Sequence, residues 1–327
     1  MFTKDNSHEK YKQYLKEKHT RFGVSSEVVN DIVTNALGVG VDSLKRIVAG
    51  EVNEVYDTKT KDGNFIVRIS RGEENRFLTE KWALNAARDV GVPTPQMFFI
   101  DEFENNGTKL KVCIENKLPG VSFNEIIEQE KLSGDQIKRI NEEAGVILAK
   151  LHSVAPERFG SFIKGGVGSN KTWTDYVLKN YSDKEIENLY ISADKIGLSR
   201  HQIDRILIIL NDNTKVFGTV TPHLLHCDFG PKHYLVRDGE ITGIIDFENC
   251  KSGDPVYDFA WLDYFGHDNL QEGYKKIAEI PNDYKLRISL YGLRISLSLI
   301  SWYVAEKHIT GMEHTKKQIE KYLKYFN

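Results

Sequence analysis

Asp228, His233 and Asp246 fall within one short stretch, 226–258, which reads HCDFGPKHYLVRDGEITGIIDFENCKSGDPVYD. One carboxylate can accept a hydrogen bond from a hydroxyl and aim its oxygen at a phosphorus. A second carboxylate, helped by a neighbouring ligand, can hold Mg²⁺ against nucleotide phosphates. Phosphoryl transfer needs both, and this stretch has the residues for both. An HxD opens it, an apolar strand follows, Asp238-Gly239 turns the chain, and a second apolar strand ends at Asp246. Antiparallel strands joined by a tight turn bring their ends together, so the three side chains are expected to meet.

The elements that must hold this hairpin can be read from periodicity and turn residues. Ser25 or Ser26 can cap a helix carrying Val28, Val29, Ile32, Val33 and Leu37, with Gly38 or Gly40 to end it. Three strands are expected over 44–69, turned at Lys61-Asp62-Gly63-Asn64, then a helix over 74–90 and strands at 96–101 and 109–116. Beyond Leu118-Pro119-Gly120 the pattern becomes mainly helical. A helix is expected over 135–152, two or three over 172–217, and more after the hairpin. Residues 161–171 are rich in Gly and Lys and read as a mobile loop, with Gly165-Gly166-Val167-Gly168 a flexible linker. The division is into 1–117, N-terminal helices and a small lobe, and 118–327, a helical large lobe with the catalytic hairpin.

At 327 residues the chain suits two lobes rather than one small core. A net charge of −3 gives no basic footprint, so nucleic acid is not expected as a partner. Three cysteines without CxxC spacing suggest neither zinc nor a disulfide framework and fit a reduced cytoplasmic protein. No secretory signal is visible, and no uninterrupted apolar run is long enough to span a membrane. Segment 289–304 comes nearest, but Arg294 and several serines interrupt it, so a buried helix is expected.

His226-x-Asp228 with His233 five residues on, Ile244-Ile245-Asp246-Phe247 and Gly253-Asp254-Pro255-x-x-Asp258 occur in that order. Leu148-Ala149-Lys150-Leu151-His152-Ser153 and Gly91-Val92-Pro93-x-Pro95 precede them. On these motifs the chain resembles the aminoglycoside phosphotransferase family, relatives of macrolide, hygromycin and choline kinases, over about residues 45–305. The resemblance implies an α+β, two-lobed protein-kinase-like fold with an antiparallel small-lobe sheet. It implies transfer of phosphate from ATP or GTP, with Mg²⁺, to a hydroxyl of a small molecule such as an aminoglycoside, a hygromycin-like antibiotic or a macrolide.

It also implies roles. Asp228 is the catalytic aspartate and Asp246 the metal-binding one. His233 stands where most of the family has Asn, as a metal ligand or as a histidine turned away from the site. His226, Asp254 and Asp258 brace the loop. Arg68 takes the place of the strand lysine that contacts phosphates, paired with Glu80. Gly50 lies in the loop over the phosphates, or in a plain hairpin turn. Glu115 and Lys117 belong to the hinge that receives the base. Kinases of an amino alcohol or sugar, and a nucleotide-binding pseudokinase, are the alternatives; the departures at His233 and Arg68 are what favour the latter. The acids Glu248, Asp263 and Asp268, with Glu185 and Glu187, could line a cleft for a cationic substrate or form a solvated acidic face.

Overall fold

The computed structural model describes residues 7–20, 23–48, 50, 53–72, 75–179, 181–267 and 269–327, with side chains from Gln13 onward. Two helices come first, α1 (Ser7–His19) and α2 (Ser26–Leu37). Ser25 caps α2 by accepting the Val28 N–H, and Gly38 ends it in a left-handed conformation that glycine adopts without a Cβ clash.

The small-lobe sheet is built from β1 (Val41–Ile47), β2 (Glu54–Thr60) and β3 (Gly63–Ser70), then, after α3 (Phe77–Asp89), β4 (Met97–Asn105) and β5 (Thr108–Asn116). All pairings are antiparallel, in the order β1-β2-β3-β5-β4. Side chains alternate across a strand, so each face has its own task. Tyr56, Val67, Ile69, Val112 and Ile114 face outward and pack with Val29 and Val33 of α2. Arg68 lies between Val67 and Ile69 and therefore faces the other way, toward α3 and the cleft.

Past Leu118-Pro119-Gly120 the chain enters other sheets. β6 (Val121–Ser122), α4 (Phe123–Glu128) and α5 (Gly134–Leu151) lead to a hairpin, β7 (Phe159–Lys164) and β8 (Val167–Asn170). Four helices follow where two or three were expected: α6 (Trp173–Leu178), α7 (Asp183–Lys195), α8 (Arg200–Asp212) and the single turn α9 (Thr214–Phe217). Then come β9 (His223–Leu225), β10 (Tyr234–Arg237), β11 (Glu240–Ile244) and β12 (Lys251–Gly253). The chain closes with α10 (Val256–Phe265), α11 (Gln271–Tyr274), α12 (Tyr284–Ala305) and α13 (Ile309–Leu323). Two small sheets result, β11-β10-β6 and β8-β7-β12-β9.

Two findings bear on the sequence reading. The Gly- and Lys-rich segment is an ordered hairpin rather than a mobile loop; its glycines admit a close neighbour, described below. Among the described residues α12 alone is a helix long and apolar enough to cross a membrane, but 67% of its apolar window is buried inside the fold. Its Ile288, Leu290, Tyr291, Leu293, Ile295 and Ile300 belong to the main core.

Candidate active site

β9 delivers His226, Cys227 and Asp228 at its end, and one buried carboxylate fixes that turn. Asp258, at the start of α10, accepts the backbone N–H of His226 at 2.9 Å and of Cys227 at 2.6 Å. Cys227 sits at φ +60, a strained conformation for a side-chain-bearing residue, which these two bonds help to hold. His152, at the end of α5, places Nε2 3.0 Å from Asp258 Oδ2 and Nδ1 3.0 Å from the Tyr274 hydroxyl. Asp254 accepts from Arg287 and Tyr291, each at 2.6 Å, and from the Val256 N–H. His226 ties the loop to the segment that carries Asp246: Nε2 lies 3.1 Å from the Ile245 carbonyl, while Nδ1 accepts the Asp228 N–H at 3.3 Å. Burial pushes the His226 imidazole below its usual range and keeps it neutral, which suits a brace rather than a proton carrier.

The hairpin β10–β11 does bring Asp228, His233 and Asp246 together, with one ligand atom from each within 4.8 Å of the others. His233 Nδ1 lies 2.7 Å from the Asp228 carbonyl oxygen. A carbonyl only accepts, so Nδ1 carries the proton and Nε2 of a neutral ring presents its lone pair. That Nε2 is 3.5 Å from Asp246 Oδ2. Two acceptors at this separation repel unless a proton or a metal cation sits between them. The donor set, two carboxylates and an imidazole, fits a divalent cation. Asp246 itself occupies φ +68. Burial raises its carboxyl, but His233, when a proton sits between Nε2 and Oδ2, and Arg68 outweigh burial and hold it below the usual carboxylate range.

Opposite, Arg68 of β3 meets four carboxylates from three parts of the chain. Nη1 donates to Glu80 of α3 at 2.6 Å and lies 3.9 Å from Glu115 of β5. Nη2 lies 3.8 Å from Asp246 and 3.6 Å from Glu248. The Phe247 N–H reaches Glu80 Oε1 at 3.2 Å, joining the segment after β11 to the small-lobe helix. Asn53 donates to Glu248 at 2.7 Å. One guanidinium cannot neutralise four acids in a desolvated site. Burial pushes Glu80 up to about 8, with Glu115 and Asp246 adding to the rise against Arg68. Burial likewise raises Glu115 and Glu248, with Arg68 opposing. Sequence reasoning named Arg68 and Glu80 as a pair; it did not foresee Glu115 and Glu248 converging on the same cation, nor Asn53 joining them.

Residues 43–283 match the phosphotransferase enzyme family. The chain belongs to that family. It is 24% identical to the hygromycin-B 4-O-kinase of Escherichia coli over 264 residues, 79% of this chain and 73% of that protein. A thermostable mutant of the aminoglycoside phosphotransferase APH(4)-Ia, in ternary complex with ADP and hygromycin B, superposes with a TM-score of 0.72 at 18% identity, covering 90% of this chain and 98% of that one. A putative fructosamine-3-kinase from Haemophilus somnus gives 0.65 at 17% identity, covering 90% and 96%. The macrolide 2′-phosphotransferase MphH from Brachybacterium faecium gives 0.58 at 16% identity, covering 90% and 98%. The fold is therefore the kinase-like one expected, and the chain is a phosphotransferase-family enzyme.

In this phosphotransferase the remaining expected residues are scattered. Gly50 adopts φ +81 and its carbonyl receives His19 Nε2 at 3.0 Å; residues 49, 51 and 52 of its loop lie outside the described set. The hinge N–H groups of Asn116 and Lys117 are used within the sheet, on Gln96 and Asn64 carbonyls, and Lys117 Nζ pairs with Asp57 at 2.6 Å. The expected acidic cleft is not assembled as a unit. Glu248 belongs to the Arg68 cluster. Asp263 is engaged by Lys321 and Tyr322, each at 2.7 Å. Glu185 pairs with Lys179 and Glu187 with Arg200. Asp268 lies outside the described residues. Near the catalytic loop the structure instead places rings: Trp261 and Phe265 stack at 6.0 Å, and Lys232 Nζ lies 5.9 Å from the Phe265 centroid.

Proposed function

We propose that the enzyme transfers the γ-phosphate of ATP or GTP to a hydroxyl of a small-molecule antibiotic, with hygromycin B and related aminoglycosides as the first candidates. The observation that carries this reading is the convergence of Asp228, His233 and Asp246 beside the Arg68–Glu80 pair, with Arg68 Nη2 3.8 Å from Asp246. Asp228 accepts a hydrogen bond from the acceptor hydroxyl and aims its oxygen in line with the phosphorus; because the transition state is loose, such positioning supplies much of the rate. Arg68, held by Glu80, contacts the phosphates through its planar donor fork. His233 and Asp246, beside Asp228, would hold Mg²⁺, which supplies positive charge against the phosphates when bound. The three free, buried cysteines accord with action in the cytoplasm.

The relative that phosphorylates hygromycin B supports the choice of antibiotic. A second reading, phosphorylation of a sugar-like metabolite, is favoured by the likeness to the putative fructosamine-3-kinase. Purified enzyme would be incubated with Mg²⁺, ATP or GTP, and a panel of hygromycin B, other aminoglycosides, macrolides and a fructosamine, with product mass read by spectrometry. Phosphorylated antibiotic, absent with Asp228→Asn, supports the first reading. Phosphorylated fructosamine alone moves the assignment to the second, and no acceptor-dependent turnover overturns both.

A further inference from the structure

The hairpin β7–β8 does work that its sequence hides. Its first strand is wired to both halves of the catalytic machinery. β7 pairs with β12 through Ser161–Lys251 and Gly160–Ser252, and β12 pairs in turn with β9, whose next residues are His226 and Asp228. Lys251 follows Asp246 by only five positions. Ser252 also donates its hydroxyl to the Arg158 carbonyl at 2.6 Å. Backbone pairing therefore couples the hairpin to the segments that carry Asp228 and Asp246.

The other end of the hairpin touches the small lobe. Trp82 of α3 stands two residues from Glu80, the partner of Arg68. Its indole meets the Phe162 ring, centroids 5.0 Å apart and tilted by 59°. It also lies against the Gly166 backbone so closely that a Cβ there would fall 2.3 Å from Trp82 Cζ2 and 2.7 Å from Cε2. Only glycine leaves room for that contact. The turn is held in place from behind: the Glu157 N–H donates to the Gly166 carbonyl at 2.8 Å, and the Gly168 N–H to the Glu157 carbonyl at 2.7 Å.

We propose that Trp82, Phe162 and Gly166 are positioning residues: the large-lobe hairpin grips the indole and so fixes the orientation of α3 in which Glu80 reaches both Arg68 and the Phe247 N–H. This rests on the kinase reading for its consequence in nucleotide binding. Its mechanical content does not depend on that reading. Besides the core packing of Phe77, Ala83, Leu84 and Ala87, α3 meets the large lobe through the Glu80–Phe247 hydrogen bond and the indole contact, and the second stands farther from the charged cluster. A change there touches none of the charged groups and reaches Arg68 through the orientation of the helix.

Gly166→Val fills the space under the indole, Phe162→Ala removes its flank, and Trp82→Phe keeps a smaller ring as the conservative control. Amide hydrogen exchange over 77–89, in the nucleotide-free proteins, reads the helix directly. Exchange faster in Gly166→Val and Phe162→Ala than in wild type and Trp82→Phe is expected, and unchanged exchange overturns the grip whatever the enzyme's activity. Affinity for Mg²⁺ and a non-hydrolysable ATP analogue is then expected to fall by about tenfold in Gly166→Val and by less in Phe162→Ala, the scale of a contact-dependent coupling. In a Glu80→Gln background the same substitutions should add little further loss. Full additivity would show that the hairpin acts by another route and would sink the proposal. Failure of wild type to bind nucleotide would instead count against the kinase reading, leaving the exchange result to decide the grip. Phe162→Ala keeps the test open if Gly166→Val does not fold.

Discussion

The catalytic turn and the Arg68 cluster are built from similar charges in opposite ways. Around Asp258 and Asp254 each carboxylate is matched: two backbone N–H groups and His152 for the first, Arg287, Tyr291 and a backbone N–H for the second. Around Arg68 one cation faces Glu80, Glu115, Asp246 and Glu248. Glu80 Oε2 and Glu115 Oε2 are buried and lack a hydrogen-bond partner among the described residues. A buried charge that is satisfied is scaffold; a cluster left short of positive charge gains most when cations arrive. Under the proposed function, the difference separates what stabilises the fold from what would receive the nucleotide and its metal.

The sharpest test lies on the satisfied side, at its functional tip. Asp228→Asn should lower kcat by roughly two to four orders of magnitude, since it removes an interaction made with the reacting hydroxyl, while nucleotide affinity stays near wild type. A variant retaining more than about a tenth of kcat would remove Asp228 from the catalytic role.

Asp258→Ala measures the scaffold itself. It strands two buried backbone N–H groups and His152, and is expected to cost about 2–4 kcal/mol by denaturant unfolding, together with activity. If stability holds within about 0.5 kcal/mol, the contrast between the two regions fails at its first term.

That contrast also explains what could be read from the sequence. Asp228, His233 and Asp246 were legible because a local hairpin with an Asp-Gly turn carries them, and local geometry leaves its mark in spacing. Arg68 and Glu80 were legible only through family resemblance. Glu115 and Glu248 were not seen as partners of Arg68, because strands far apart in sequence bring them there. Gly165-Gly166 read as flexibility, whereas Gly166 is small because an indole lies on it. Asp263, Glu185 and Glu187 read as a candidate cleft, yet each has a cation of its own nearby. Charge runs do not reveal which surface neighbours the fold will supply.

On the under-compensated side pH becomes the probe. Glu80 is pushed from 4.5 to about 8, so the folded protein binds a proton there that the unfolded chain has released. Stability tied to this group is complete below the unfolded value and is lost as pH rises through about 8. Relative to Glu80→Gln, which cannot titrate, wild type should lose on the order of 1–3 kcal/mol between pH 5 and 9 in the absence of nucleotide. A difference that is flat or of opposite slope would mean that Arg68 fully compensates Glu80. Glu115→Gln asks the same at one remove: it is expected to leave apo stability unchanged or raise it by about 1 kcal/mol at pH 8, whereas Asp258→Ala lowers it.

The smallest expected effect falls where the two regions meet. His233 hangs from the catalytic loop by its Nδ1 bond to the Asp228 carbonyl and turns Nε2 toward Asp246, which also faces Arg68. His233→Asn exchanges a nitrogen ligand for an amide oxygen of shorter reach. Mg²⁺ asks for oxygen ligands in strict octahedral geometry, while first-row divalent metals accept imidazole readily. The variant should therefore remain active, and the Mg²⁺ and Mn²⁺ concentrations giving half-maximal activity should move relative to each other, toward Mg²⁺, by about two- to fivefold. The comparison is between two metals in one protein, so a general loss of activity cancels. If the two titrations of the variant superimpose on those of wild type, His233 does not reach the metal, and the lone-pair geometry at Nε2 is answered by a proton alone.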